Sequence, residues 1–123
     1  SIALDPNHAD TYIGRGNAYA DKGQYDRAIE DYTSAIALDP NYAEAYGNRG
    51  LAYGGKGQYD RAIEDYNKAI ALNPNFANVY NNRGDAYYNK GNMGRSISDF
   101  QKACDMGSEA GCKNLQTALG DRK

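Results

Sequence analysis

Lys22-Gly-Gln-Tyr-Asp-Arg-Ala-Ile-Glu-Asp-Tyr32 recurs letter for letter as Lys56 to Tyr66, 34 positions later. A fixed period of about 20 to 50 residues marks supersecondary units stacked into an array. Over a wider window, Ala9–Tyr42 and Ala43–Phe76 agree at 23 of 34 positions. The same step relates Pro6, Pro40 and Pro74; Gly16, Gly50 and Gly84; and Gly23, Gly57 and Gly91. A third copy starts at Ala77 and loses the pattern near Gly107. Repeats are expected at 9–42, 43–76 and 77–108. Residues 1–8 read as the remnant of a preceding repeat, because Ser1–Asn7 matches Ala35–Asn41 at six of seven positions. The chain is therefore expected to be a piece of a longer protein.

Each repeat splits into two helical stretches. Ala9–Lys22 places apolar or aromatic residues at Ala9, Tyr12, Ile13, Ala18, Tyr19 and Ala20, closer to a helical period than to strand alternation. Pro6 and Asn7 punctuate its start, and Gly23 is placed as a left-handed stop. Tyr25–Leu38 carries a broad apolar stripe at three- and four-residue spacing. Asp39-Pro40-Asn41 ends it, since proline cannot continue a helix and biases the residue before it away from helical dihedrals. Short connections make paired helices antiparallel. The pattern predicts further pairs at Ala43–Lys56 with Tyr59–Leu72 and at Ala77–Lys90 with Met93–Met106.

Small residues in phase imply close approach. A glycine inside a helix costs about 1 kcal/mol relative to alanine, so its recurrence at Gly16, Gly50 and Gly84 needs a reason. The second helices add Ala28/Ala62/Ser96 and Ala35/Ala69/Ala103. The aromatic columns Tyr12/Tyr46/Tyr80, Tyr19/Tyr53/Tyr87, Tyr25/Tyr59 and Tyr32/Tyr66/Phe100 supply bulk to fill against them, and these rings are read as packing.

The run Tyr46-x3-Gly50-x2-Tyr53-x3-Gly57-x-Tyr59-x2-Ala62-x3-Tyr66-x2-Ala69-x4-Pro74 resembles the tetratricopeptide repeat, a helix–turn–helix unit of 34 residues. Met93, Ser96 and Ser108 depart from that pattern in the third copy. The resemblance implies an all-α, right-handed α-solenoid of antiparallel helix pairs, about three repeats long. It also implies a concave groove lined by the first helices, where relatives bind peptide segments of other proteins. One column departs from the family's usual leucine: Arg15, Arg49 and Arg83 precede the in-phase glycine. Asp31, Asp65 and Asp99 recur in the second helices. The expectation is an Arg–Asp pair clamping each repeat, with the planar guanidinium suited to a bidentate contact; the other reading puts the arginines in the groove.

After Ser108, residues 109–123 are expected to form a capping helix. Ala110, Leu115, Ala118 and Leu119 would face inward, with Asn114, Gln116 and 121–123 outward, as a polar terminal face requires. Cys104 and Cys112 lie across a turn in a stretch resembling the cysteine-rich relatives of this repeat, in which a disulfide bridges paired helices. Two readings stay open. A bridge implies an oxidising, periplasmic or extracellular compartment; two buried free thiols imply the cytoplasm.

Composition narrows the function classes. The chain has 14 basic and 16 acidic residues, well mixed, for a net charge of −2. That is no electrostatic footprint for nucleic acid or an anionic membrane. No apolar run approaches the roughly 20 residues of a membrane span. His8 is the only histidine and stands far in sequence from both cysteines, so no metal set assembles. The glycines follow the repeat and not a phosphate loop. No catalytic residue, cofactor or metal is expected.

The family's best-known ligand mode clamps a C-terminal carboxylate of a chaperone tail between basic residues and asparagines. Asn17 and Asn48 occupy clamp asparagine positions, while the basic positions hold Ile13, Asn78 and Asn82, none charged. The expected groove comprises Asp10, Ile13, Asn17, Glu44, Asn48, Leu51, Asn78, Asn81, Asn82, Asp85, Tyr88 and Asn89. Gly47 and Gly54 would widen its floor. Amide side chains donate and accept, which suits the backbone of a neutral or mildly basic peptide. The leading expectation is a non-catalytic protein-interaction module that binds a peptide or helical segment of a partner in that groove, outside the clamp mode. The alternative is a structural spacer or a self-associating array stacking through the N-terminal end, near Ala9–Tyr19.

Overall fold

In the computed structural model, which describes residues 7–121, seven α-helices and no strand are found among the described residues. They are α1 (Asn7–Asp21), α2 (Tyr25–Leu38), α3 (Ala43–Gly55), α4 (Tyr59–Leu72), α5 (Ala77–Lys90), α6 (Met93–Asp105) and α7 (Glu109–Asp121). α1 begins two residues before Ala9, so Asn7 lies inside the helix it was expected to precede. α1, α3 and α6 end one residue early, and α7 covers Glu109–Asp121 of the expected capping segment. The expected remnant and Pro6 lie outside the described residues, apart from Asn7 and His8.

Each first helix stops by one mechanism. Gly23, Gly57 and Gly91 have φ of 78°, 79° and 86°, the left-handed region where a β-carbon clashes. The amides of Gln24, Gln58 and Asn92 reach back to the carbonyls of Tyr19, Tyr53 and Tyr87 at 2.9 Å, closing Schellman turns. The second helices of the first two repeats end at Asp39 and Asn73, whose side chains accept from the amides of Asn41 and Asn75 at 3.2 Å. The third repeat ends differently. Gly107 (φ 98°) closes α6, and Ser108 Oγ accepts from the Gly111 amide at 3.0 Å, so α7 starts at once. That cap is why serine stands where the other repeats have proline.

Helices pair as α1/α2, α3/α4 and α5/α6, and each pair packs on the next. The core is a ribbon in three stretches: Ala28, Tyr32 and Ala35 with Ala9 and Ile13; Ala62, Ile63, Tyr66 and Ala69 with Val79; and Phe100 with Leu115 and Ala118. A β-carbon at Gly16, Gly50 or Gly84 would lie 2.7 Å from the ring of Tyr32, Tyr66 or Phe100 respectively. The small column exists because those rings lie flat on the helix backbone.

α7 corrects the sequence reading. Its buried stripe is Gly111, Leu115 and Ala118, whereas Ala110 is exposed. Asn114, expected outward, donates to Asn81 Oδ1 at 2.9 Å, and Asp121 accepts from the Tyr88 hydroxyl. The cause is position: α7 packs on α6 and lies beside α5, where the first helix of another repeat would lie. One side of it is therefore turned to α5 instead of solvent. Cys104 and Cys112 are joined by a disulfide that ties α6 to α7, with Cα atoms 4.5 Å apart.

Candidate functional site

The first helices α1, α3 and α5 stand side by side, and their free faces make one concave wall. Along it runs a cleft of about 650 Å³. Asn17, Asn48, Leu51, Asn82, Asp85 and Asn89 line it, as does Glu44. A smaller adjoining cavity of about 360 Å³ is bordered by Asn78 and Gly47. Gly54 lines the main cleft, and Gly47 backs onto Val79.

Four expected groove residues are elsewhere engaged. Ile13 is buried, 5% exposed, in the core with Ala9 and Ala45. Its apolar side chain follows the core, whatever the corresponding clamp position holds in relatives. Asn81 and Tyr88 are occupied by α7 through Asn114 and Asp121. Asp10, also expected there, accepts from the Tyr42 hydroxyl.

The sequence reading missed the aromatic border. Tyr25, Tyr32, Tyr59 and Tyr66 line the cleft together with Asp21 and Gly55. The available signal was the unpaired Gly55: a β-carbon there would lie 2.6 Å from the Tyr25 ring, so that ring crosses from one repeat onto the next. Asparagine networks hold part of the wall. Tyr32 donates to Asn17 Oδ1 at 2.6 Å, and Asn48 Nδ2 donates to the same oxygen at 3.2 Å. The two asparagines at clamp positions are thus bonded to each other.

Burial shapes the titration of these groups. The Tyr32 phenol is pushed up to about 12, first by burial and then by the charge of Asp21. Tyr66 is pushed further, by burial and then by Asp85. Asp85 is itself raised above the usual carboxylate range by desolvation.

The arginine column lies apart from the cleft. Arg15, Arg49 and Arg83 each donate through Nε and Nη2 to Asp31, Asp65 and Asp99, at 2.7–2.9 Å. The hydrogen bond to each aspartate is the largest cause raising the affinity of these guanidinium groups for their proton. Arg49 and Arg83 also reach back one repeat, donating to Thr33 Oγ1 at 3.2 Å and Asn67 Oδ1 at 2.8 Å. Two contacts between repeats were not anticipated: Lys56 pairs with Asp26 and Lys90 with Asp60. Arg27, Arg61 and Arg95 further lie over the rings of Tyr19, Tyr53 and Tyr87 at 5.6–5.8 Å. Among the described residues no group of three His, Cys, Asp or Glu could hold a metal ion, and no helix is long and apolar enough to cross a membrane.

Comparison with known proteins agrees with this architecture. The first TPR of Spaghetti (RPAP3) bound to HSP90 peptide SRMEEVD superposes with a TM-score of 0.90 at 26% identity, covering 98% of each chain. The second TPR domain of the human RPAP3 protein, in complex with HSP70 peptide SGPTIEEVD, gives a TM-score of 0.86 at 30% identity, over 93% of this chain and 98% of that one. MamA is 36% identical over 85% of this chain and 61% of its own, with a TM-score of 0.77. A search of the curated proteins finds no match. The family model described as TPR repeat matches residues 16–57 and 55–91, and models described as tetratricopeptide repeat match 1–30 and 77–106. Together these place the chain in the tetratricopeptide-repeat family, to which it belongs.

Proposed function

We propose that this repeat array is a protein-interaction module whose concave cleft binds an extended or helical segment of a partner protein, without catalysis. One observation carries the reading: the first helices present an open cleft with exposed amides and an exposed Leu51, while the charges that hold the repeats together lie elsewhere. Asparagine amides can pair with both donors and acceptors of a peptide backbone. Two structural relatives are described with peptides bound, which supports a peptide segment of a partner as the class of ligand.

The mode differs from a carboxylate clamp. The corresponding positions here are Ile13, which is buried, and the uncharged Asn78 and Asn82. A terminal carboxylate would find no cation at those positions, and Glu44 and Asp85 would repel an acidic tail.

The test is a titration followed by backbone amide resonances. The peptides SRMEEVD and SGPTIEEVD are expected to leave the Asn48 and Asn82 amides unmoved; saturable shifts there would overturn the non-clamp assignment. Partner recovery by the intact protein is then compared with an Asn48→Ala/Asn82→Ala/Asn89→Ala variant. Equal recovery would overturn the cleft as the binding face. Light scattering over a concentration series reads the alternative directly, because concentration-driven association would favour a stacking array.

A further inference from the structure

We propose that the middle of the cleft is a pocket for a cationic side chain, a lysine or arginine carried by the partner segment. The inference rests on the cleft being a peptide site and adds its charge selectivity.

The first observation is how the fold sorts charge. Acidic and basic residues are mixed along the chain, yet Asp21, Glu44 and Asp85 line the cleft and no lysine or arginine does. The cations are committed elsewhere: Arg15, Arg49 and Arg83 to the repeat clamps, and Lys56 and Lys90 to Asp26 and Asp60. Asp85 has no ion pair or side-chain hydrogen bond among the described residues; its backbone carbonyl accepts from Asn89 Nδ2 at 3.0 Å.

The second observation is independent of charge. Tyr66 is 2% exposed, lines the cleft, and its hydroxyl makes no hydrogen bond among the described residues. In the first repeat the corresponding hydroxyl, that of Tyr32, is satisfied by Asn17. In the second repeat the position of Asn17 is taken by Leu51, and Gly54 puts no side chain over the hydroxyl, a β-carbon there being 3.9 Å away. The third repeat removes the hydroxyl by using Phe100. Tyr66 thus holds an unfilled polar group in an otherwise packed column, at the base of the acidic stretch. The oxygen is not among the buried unpaired polar atoms, so it opens to the cleft and is free to accept from a bound donor.

The remaining lining fits one chemical class. Leu51 is 54% exposed, the one large hydrophobic so placed among the described residues, and it can carry the methylene stem of a basic side chain. The Tyr25 and Tyr59 rings border the same space and favour a cation over their faces. The tip would then donate to Asp85 and the Tyr66 oxygen, with Glu44 adding negative charge farther along the cleft. A divalent cation is the competing occupant, and it is disfavoured because the carboxylates are spread along the cleft and form no three-ligand group.

Panning a random nonapeptide library on the folded chain tests this. Enrichment of lysine or arginine at one fixed position is expected. A synthetic copy of the winning peptide should lose affinity about tenfold when that residue becomes glutamine, or when the protein carries Glu44→Gln/Asp85→Asn. Tyr66→Phe, which copies the natural Phe100, should weaken it by a few fold and leave a neutral peptide unaffected. Because the peptide substitution needs no protein variant, an unfolded variant cannot rescue the proposal. Winning peptides without a basic residue that nevertheless depend on Asn48 and Asn82 would overturn the cationic pocket and leave the peptide cleft standing. No enrichment, or enrichment indifferent to Asn48→Ala/Asn82→Ala, would overturn both.

Discussion

Helices α2 and α4 differ only at Thr33/Asn67 and Ser34/Lys68, whereas α1 and α3, in the same register, differ at about half of their positions. The contrast separates two tasks. A second helix is gripped by the first helix of its own repeat and by that of the next. A first helix has one face left over, and that face varies. Some of the variation is still packing: Ile13 shares a core with Ala45, while the equivalent junction pairs Gly47 with Val79, so bulk has changed sides across the seam. Other differences, Asn17/Leu51, Ala20/Gly54 and Asp21/Gly55, line the cleft and alter what it can hold.

The hardest way to break the contrast is to spoil the shared scaffold. Gly50→Val should cost about 3 kcal/mol, because its side chain must enter the space of the buried Tyr66 ring. Gly14→Ala lies two residues before the corresponding Gly16 with nothing within 4 Å of its β-carbon, and should stabilise the fold by about 0.5–1 kcal/mol. Urea midpoints of both variants measure it. Equal effects would mean that the glycine column is not set by the rings.

Next in size come the clamps. Asp65→Ala strands Arg49, whose side chain is only 20% exposed, and should cost about 3 kcal/mol. Asp31→Ala should cost clearly less, since Arg15 is 59% exposed and water can replace its partner. The pair sharpens the comparison by separating a repeat packed on both sides from the first of the described repeats. Thermal melts rank them, and an equal loss would show that coupling between repeats adds nothing to the clamp.

Much of this scaffold was legible in the sequence. Glycines and rings that recur in phase report contacts made three times over, and the Arg–Asp columns were visible for the same reason. What happens once cannot be read from a period. The rotation of α7 toward α5, the burial of Ile13 and the crossing of Tyr25 over Gly55 each depend on a single junction. The cleft tyrosines were hidden differently: a ring can pack with one edge and line a cavity with another, and its spacing reports only the first.

Two smaller predictions address the third repeat. Reducing the Cys104–Cys112 bridge frees a short loop and should cost about 2 kcal/mol on chain-entropy grounds. The loss should appear as a lower melting temperature with thiol reductant, with α7 resonances affected before those of α1. Ser96 occupies the column of Ala28 and Ala62, fully buried, and its hydroxyl has no hydrogen-bond partner among the described residues. Ser96→Ala should therefore stabilise by about 1 kcal/mol. A destabilisation would reveal a hydrogen bond that the column comparison does not show.

The smallest expected effect is the most pointed. Leu51→Asn would give the second repeat the asparagine that the first has at Asn17. A new bond from the Tyr66 hydroxyl should contribute about 1 kcal/mol. Exchanging leucine for asparagine inside a helix costs about half of that, and little burial is lost because Leu51 is already 54% exposed. Stability should move by less than about 0.5 kcal/mol. Binding should not be so indifferent, since the substitution at once fills the free hydroxyl and removes the apolar ledge. A variant as stable as its parent, with its cleft affinity reduced, would place the difference between α1 and α3 in recognition; loss of stability without loss of binding would return it to packing.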